Sequence, residues 1–135
     1  MNNAATMTAV FKAVFLVGTG GALGSLARYG TSVGCARLFG PQFPWGTLVV
    51  NLLGCFIYGL AFALIVRNMV PLGPELRMFL LVGFLGGFTT FSSFGMETVL
   101  FGAEGAAGLA VVNILANNVG GLALCALGLW TGRLL

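Results

Sequence analysis

Apolar residues form four long stretches along the chain, and turn signals separate them. Gly40-Pro41 precedes the second stretch, and Pro71 to Pro74 precedes the third. Each stretch approaches the ~20 apolar residues that a transmembrane helix needs. The pattern therefore predicts an all-α membrane protein with one domain over residues 1–135. Its four transmembrane helices are expected at about residues 10–30, 45–66, 77–100 and 106–131.

Composition indicates that the bilayer is the solvent of this chain. Apolar residues make up 59% of it and charged residues only 7%, against roughly 25% charged residues in soluble domains. A soluble fold of this size could not bury so much apolar surface. We expect a multi-pass protein of the cell membrane, surrounded by lipid. Lys12 and the small residues near Ala27 resemble a signal peptide, but three further apolar stretches argue against cleavage.

The residue types that are missing exclude most enzyme chemistry. The sequence contains no Asp and no His, so it offers no catalytic triad, no aspartyl pair and no histidine ligand for a metal. Cys35, Cys55 and Cys125 lie far apart and lack the spacing of a metal or redox site. A net charge of +3 is too small to indicate nucleic-acid binding. We therefore expect no enzymatic activity and no nucleic-acid partner.

Polar residues in the second stretch share one helix face. Thr47, Asn51, Gly54 and Tyr58 follow each other at helical spacing, and Asn51 lies near the middle of the membrane. Burying such residues in a bilayer is costly, so each one is a candidate for function. The stripe predicts either a hydrogen-bonded seam between helices or a polar pathway, and its pattern favours neither.

The third stretch carries the most unusual sequence, residues 83–94 (GFLGGFTTFSSF). A glycine pair, two threonines and two serines are poor choices for a straight helix. They predict a break, which a membrane protein tolerates only where the backbone is buried or lines a polar cavity. Carbonyls released by a break can hold a cation. Phe91 and Phe94 share a face, and their ring edges carry partial positive charge that could meet an anion.

The first and fourth stretches add glycines, amides and one cation. Gly20 and Gly24 lie one turn apart and predict a close-packing surface. Arg28 continues that face and could either attract anions or anchor the helix at the interface. Asn113 and Asn117 share a face of the fourth helix, and three asparagines in one span are many for an inert seam. The cations split four against two between the two sides, which favours cytoplasmic termini only slightly.

These motifs resemble the Fluc (CrcB-type) fluoride channels over nearly the whole chain, from Gly20 to Gly132. The matching segments are residues 20–29 (GGALGSLARY), 46–51 (GTLVVN), 86–94 (GGFTTFSSF) and the polar and glycine positions of the fourth helix. The resemblance implies a passive fluoride-selective channel that lowers cytoplasmic fluoride. It also implies an antiparallel homodimer with dual topology and two narrow fluoride pathways.

The resemblance further implies roles for individual residues. Asn51 would donate its amide to fluoride, and Phe91 and Phe94 would offer ring edges. Gly86 and Thr89 would give backbone carbonyls to one central sodium ion, shared by the two subunits and not transported. Thr90, Ser92 and Ser93 would supply hydroxyls along the pathway. Asn117 stands where the family commonly has a serine, and Arg28 would match the basic residue that closes the first helix.

Fluoride chemistry agrees with this resemblance. Fluoride holds water tightly, so a pathway must replace its hydration with many hydrogen-bond donors, whereas a buried cation would hold the ion too strongly for it to leave. A small proton-coupled multidrug transporter is the main alternative, but it needs a carboxylate in mid-membrane, and Glu97 is expected near a helix end. A purely structural subunit would explain the glycines but not the clustered central donors.

Overall fold

Four long helices make up the computed structural model, which describes residues 3–67, 69 and 72–135. Pro71, one of the predicted turn residues, lies outside the described part of the chain. Within the described residues, four helices are long and apolar enough to cross a membrane, which confirms the predicted all-α class and the number of spans. The first, second, third and fourth spans are Asn3–Phe39, Trp45–Val66, Pro74–Ala103 and Ala107–Leu134.

The first helix is longer at both ends than the predicted 10–30. It covers 37 residues, or roughly 55 Å at 1.5 Å per residue, well beyond a ~30 Å hydrocarbon core. Lys12 and Arg28 do not end it, because a charged side chain can project to the interface without interrupting backbone hydrogen bonds. Arg28 is therefore not the residue that closes the helix. The helix ends at Phe39, and the next residue, Gly40, has a φ of 81° that suits glycine and directly precedes Pro41.

The third span is built from pieces with different helical geometry. A single α-helical turn at Pro74–Arg77 leads into a π-helical segment at Met78–Leu85 and a further short turn at Gly86–Phe88. Thr89 and Thr90 then adopt extended backbone angles, with ψ of 159° and 117°. A regular helix resumes at Phe91–Ala103. Two residues within the span therefore lack helical geometry.

The fourth span also contains a wide turn. Ala107–Leu115 is α-helical, Ala116–Gly120 is π-helical, and Gly121–Leu134 is α-helical again. A π-helical turn inserts one extra residue into the helix and is frequent at functional sites. Here it contains Asn117 and Asn118.

Glycines bring the spans together in two closely packed pairs. Gly20 and Gly24 of the first span lie directly against backbone atoms of Phe79, Phe84 and Phe88 in the third. Gly59 of the second span and Gly128 of the fourth lie in the same way against the backbone of the opposite helix. A side chain at any of these four positions would overlap the facing backbone, so only glycine permits this approach. The predicted packing role of the Gly20 and Gly24 face is confirmed.

The outer surface is apolar, and the interior is small. Large apolar side chains such as Phe11, Phe15 and Leu122 are well exposed, whereas Val50 and Asn113 are completely buried. This is the reverse of a soluble protein and is the arrangement expected where lipid is the solvent. The chain is a multi-pass membrane protein.

Candidate ion site

One cavity of about 390 Å³ lies beside the extended residues of the third span. Residues of the second, third and fourth spans line it, and several of the polar positions identified in the sequence are among them. The lining includes Asn51, Tyr58, Gly86, Thr89, Thr90, Phe91, Phe94, Asn117 and Asn118. Thus residues far apart in the chain, predicted separately as candidates, share one space.

Asn51 of the second span binds the backbone at the point where the third span loses its helical geometry. The Thr90 N–H donates to Asn51 Oδ1 at 2.8 Å, and Asn51 Nδ2 donates to the Thr90 carbonyl at 3.1 Å. Thr90 is buried, with 7% of its surface exposed. The amide therefore pairs with both backbone polar groups of one residue, as a neighbouring strand would, and makes the extended conformation acceptable at membrane depth.

This pairing diverts two backbone donors from their helical acceptors. In a continuous α-helix, the Thr90 N–H would donate to the Gly86 carbonyl, and the Ser93 N–H to the Thr89 carbonyl. Instead the Thr90 N–H donates to Asn51, and the Ser93 N–H donates to Thr90 Oγ1 at 3.3 Å. The carbonyls of Gly86 and Thr89 therefore lose their helical donors, and both residues line the cavity.

Three hydroxyls gather where the helix resumes. Thr90 is the N-cap of the helix that starts at Phe91, which is a common role for threonine. Its hydroxyl donates to Ser93 Oγ at 3.1 Å, and Ser92 Oγ lies 3.4 Å away. The serines that were predicted as pathway residues are therefore connected to the cavity through Thr90.

Phe91 and Phe94 are in contact, as their spacing predicted. Their ring centroids are 5.3 Å apart, and the planes meet edge to face at 63°. The two rings differ sharply in burial, because Phe94 is 6% exposed and Phe91 is 79% exposed in the single chain. Only Phe94 is enclosed by this chain.

A continuous line of side-chain hydrogen bonds runs away from Asn51. Asn51 Nδ2 donates to Asn117 Oδ1 at 2.8 Å, Asn117 Nδ2 donates to Asn113 Oδ1 at 2.9 Å, and Asn113 Nδ2 donates to Thr98 Oγ1 at 2.9 Å. The Thr98 hydroxyl closes the line by donating to the Phe94 carbonyl at 2.8 Å. Thr98 was not identified from the sequence, although its position one helical turn after Phe94 places it on the same face of the helix.

Two other predicted positions lie away from this cavity. Arg28 is half-buried in the first helix and is not one of the residues that line the cavity. Glu97 lines a separate cavity of about 240 Å³ near the turn between the first two spans, where Thr47 donates its hydroxyl to the carboxylate at 2.6 Å. Glu97 is therefore partly buried and bonded between two spans.

Comparison with known proteins places the chain in a family. The sequence profile of the family described as CrcB-like protein, Camphor Resistance (CrcB), matches residues 15–129. A protein of Agrobacterium fabrum, called a fluoride-specific ion channel FluC, is 48% identical over 120 residues, which cover 89% of this chain and 95% of that protein. A protein with the same description from Hydrogenovibrio crunogenus is 46% identical, over 87% of this chain and 88% of its own length. Another from Geobacter sulfurreducens is 45% identical, over 83% of this chain and 86% of its own length. These matches confirm the resemblance drawn from the motifs, and the chain belongs to the CrcB-like family.

Proposed function

We propose that this protein is a passive, fluoride-selective ion channel that lets fluoride leave the cell and so reduces its toxicity in the cytoplasm. The observation that carries the proposal is a cavity between the second, third and fourth spans that brings the side chains of Asn51, Thr90 and Asn117 together with the rings of Phe91 and Phe94. Among the described residues that line it, none is Lys or Arg. The relatives described as fluoride-specific ion channels support the choice of ion, and the name describes a channel and not an enzyme.

A cavity of this kind suits an anion that must bind and then leave. Dehydrating fluoride is expensive, so amides, hydroxyls and positive ring edges have to replace its water. Neutral donors do this without the strong attraction of a buried cation. In a low-dielectric membrane, a fixed positive charge would bind the anion far more tightly and slow its release.

Individual residues are assigned to the pathway as follows. The Asn51 amide offers N–H groups, and Phe94 with Phe91 offers ring edges that are already arranged edge to face. The Thr90, Ser92 and Ser93 hydroxyls extend the donor set where the helix resumes. Asn117 contributes its amide in place of a hydroxyl.

The Gly86 and Thr89 carbonyls are proposed to hold a structural sodium ion. Their helical donors are engaged elsewhere, both residues line the cavity, and carbonyl oxygens are ligands that hard cations accept. Two carbonyls do not complete a coordination shell, so the same pair from a second copy is required. Sodium bound there would join the two copies. Replacing sodium by a large organic cation during purification should therefore shift the protein from dimer to monomer on gel filtration.

A second copy with opposite orientation completes the proposed pathway. The cavity lies beside Phe91 and Tyr58, two large aromatic residues that are 79% and 47% exposed in the single chain. The weak bias of the cations, four against two, permits insertion both ways round. A tag on one terminus should be reachable from both faces of the membrane, and labelling from one face only would refute the antiparallel arrangement.

The proton-coupled transporter is less well supported. Its essential carboxylate would have to lie in the cavity that Asn51 lines. Glu97 instead lines the cavity near the turn between the first two spans, where it accepts a hydrogen bond from Thr47. Strict coupling of transport to protons or to an organic cation would nevertheless favour this alternative.

Ion-specific efflux from liposomes tests the proposed function directly. Purified protein is reconstituted into liposomes loaded with potassium fluoride or potassium chloride, with valinomycin to balance charge. Fluoride should leave quickly while chloride stays inside, and liposomes without protein should release neither. Equal chloride release would refute the selectivity, and no fluoride release would refute the channel.

A further inference from the structure

The hydrogen bonds of Asn51 raise a problem for any anion that uses its amide. A side-chain amide nitrogen carries two hydrogens. One of them is donated to the Thr90 carbonyl at 3.1 Å and the other to Asn117 Oδ1 at 2.8 Å. Both donors are therefore in use, and an anion must replace one of the two acceptors. The Thr90 carbonyl is part of the backbone, whereas Asn117 Oδ1 belongs to a side chain that can rotate.

Rotation would change Asn117 from a competitor into a ligand. The oxygen and nitrogen of an amide have almost the same size, so a half-turn about the Cβ–Cγ bond exchanges them in one space. After this reversal, Asn117 would turn its NH₂ group towards Asn51 and donate to the anion beside it. Two amides would then converge on one ion.

The reversal is blocked unless Asn113 changes as well. Asn117 Nδ2 now donates to the Asn113 side-chain oxygen at 2.9 Å and to the Asn113 carbonyl at 3.1 Å. Turning Asn117 alone would bring its oxygen against these two oxygens and leave it without a donor. If Asn113 also reverses, its Nδ2 donates to Asn117 Oδ1, which gives that oxygen a donor and removes its conflict with the Asn113 side-chain oxygen.

Thr98 allows Asn113 to reverse. A hydroxyl both donates and accepts, and Thr98 Oγ1 now accepts from Asn113 while donating to the Phe94 carbonyl. In the reversed state its hydrogen would turn from the Phe94 carbonyl to Asn113 Oδ1, so the Asn117–Asn113 and Asn113–Thr98 links would remain with their directions inverted. Asn118, the neighbouring amide, has no such connection, because it donates to the Ile114 carbonyl of its own helix.

We propose that Asn113 is a positioning residue of the ion pathway, which with Thr98 determines which end of the Asn117 amide faces Asn51. The three groups reverse together when an anion enters and return when it leaves. Asn113 does not touch the ion: it is completely buried and is not among the residues that line the cavity. The inference rests on the proposed anion pathway.

Side-chain NMR of the whole protein tests the relay. Protein labelled with ¹⁵N-asparagine is titrated with fluoride, and chloride serves as the control anion. The Asn113 NH₂ signals should shift with the same midpoint as those of Asn51, although Asn113 lies outside the cavity. An Asn113 signal that stays constant while the Asn51 signal titrates would overturn the proposal. This measurement uses the wild-type protein and does not depend on the folding of a variant.

The Asn113→Leu variant tests the direction of the effect. In the resting state, Asn117 keeps its bond to the carbonyl of residue 113, but in the reversed state its oxygen finds no donor. The anion-bound state is therefore selectively destabilised. The fluoride midpoint at Asn51 should rise at least about tenfold, which corresponds to about 1.4 kcal/mol, with an unchanged gel-filtration profile. Thr31→Val removes a hydroxyl that, among the described residues, donates only to the Ala27 carbonyl of its own helix, and it should keep the wild-type midpoint.

The outcomes separate the relay from the proposed function. Wild-type fluoride efflux together with an Asn113→Leu midpoint within threefold of wild type would overturn the relay alone. No efflux and no response of Asn51 to fluoride would overturn the channel and the relay together.

Discussion

Replacing Asn51 by leucine should destabilise the protein as well as stop conduction. Leucine fills a similar volume but offers the third span no hydrogen bond. The Thr90 N–H and carbonyl would both lose their Asn51 partners, at a residue that is 7% exposed. Each buried backbone group without a partner costs about 1–3 kcal/mol. The free energy of unfolding should therefore fall by about 2–6 kcal/mol, a large part of the stability of a small domain.

The matched control is Asn117→Leu. It removes the other partner of Asn51 but leaves both bonds to Thr90 in place. Thermal unfolding in detergent, followed by the fluorescence of Trp45 and Trp130, should show a clearly lower midpoint for Asn51→Leu than for Asn117→Leu. Liposome efflux should show fluoride flux reduced in both. Equal unfolding midpoints would refute the idea that Asn51 supports the extended backbone, and would leave it only a role towards the ion.

Three further changes address the rings and the glycines. Phe91→Ile or Phe94→Ile should cut fluoride flux severely while the dimer still assembles, because the positive ring edge is lost and apolar volume is largely kept; wild-type efflux from these variants would remove the rings from the mechanism. Gly24→Val should prevent folding or assembly, because its side chain would overlap the backbone of the third span. In the control Gly18→Ala, the added Cβ meets no described atom within 4 Å, so this variant should behave as wild type on gel filtration. A tolerated Gly24→Val would contradict the close packing. A Cβ added at Gly86 meets no described atom of its own chain within 4 Å, so for Gly86→Val a loss of dimer with a retained helical circular-dichroism spectrum would locate Gly86 at the second copy, and an unchanged dimer would argue against that location.

The sequence predicted which polar residues would share a helix face, but it did not predict which hydrogen bonds they would form. The spacing of Asn51 identified a polar face, but its partner Thr90 lies 39 residues away, and no local pattern reports such a distant pair. The motif at residues 86–94 predicted departure from helical geometry, because it combines glycines with side chains that bond to the backbone. Which two residues would become extended depends on the Asn51 amide, a tertiary contact.

Helical spacing was a poor guide where the helix is not regular. At 100° per residue, Asn117 and Asn118 were expected on different faces of the fourth span. Both nevertheless line the cavity, and both lie in the wide turn at Ala116–Gly120. Such a turn has no clear signal in the amino-acid sequence. The end of the first helix was missed for another reason: the charge of Arg28 was given more weight than the continuous helical pattern up to Gly40.

The glycine contacts also determine where this molecule can move. Where Gly24 meets the third span and Gly128 meets the second, backbone touches backbone, and no side chain is present whose rotation could let the helices slide. Around the cavity, by contrast, the spans meet through amides and hydroxyls that exchange partners by turning about single bonds. A side chain turns about its single bonds without moving its helix, whereas collective movements of helices take microseconds or longer. The glycine contacts thus hold the helices as a frame, and the proposed reversal requires only side chains to turn.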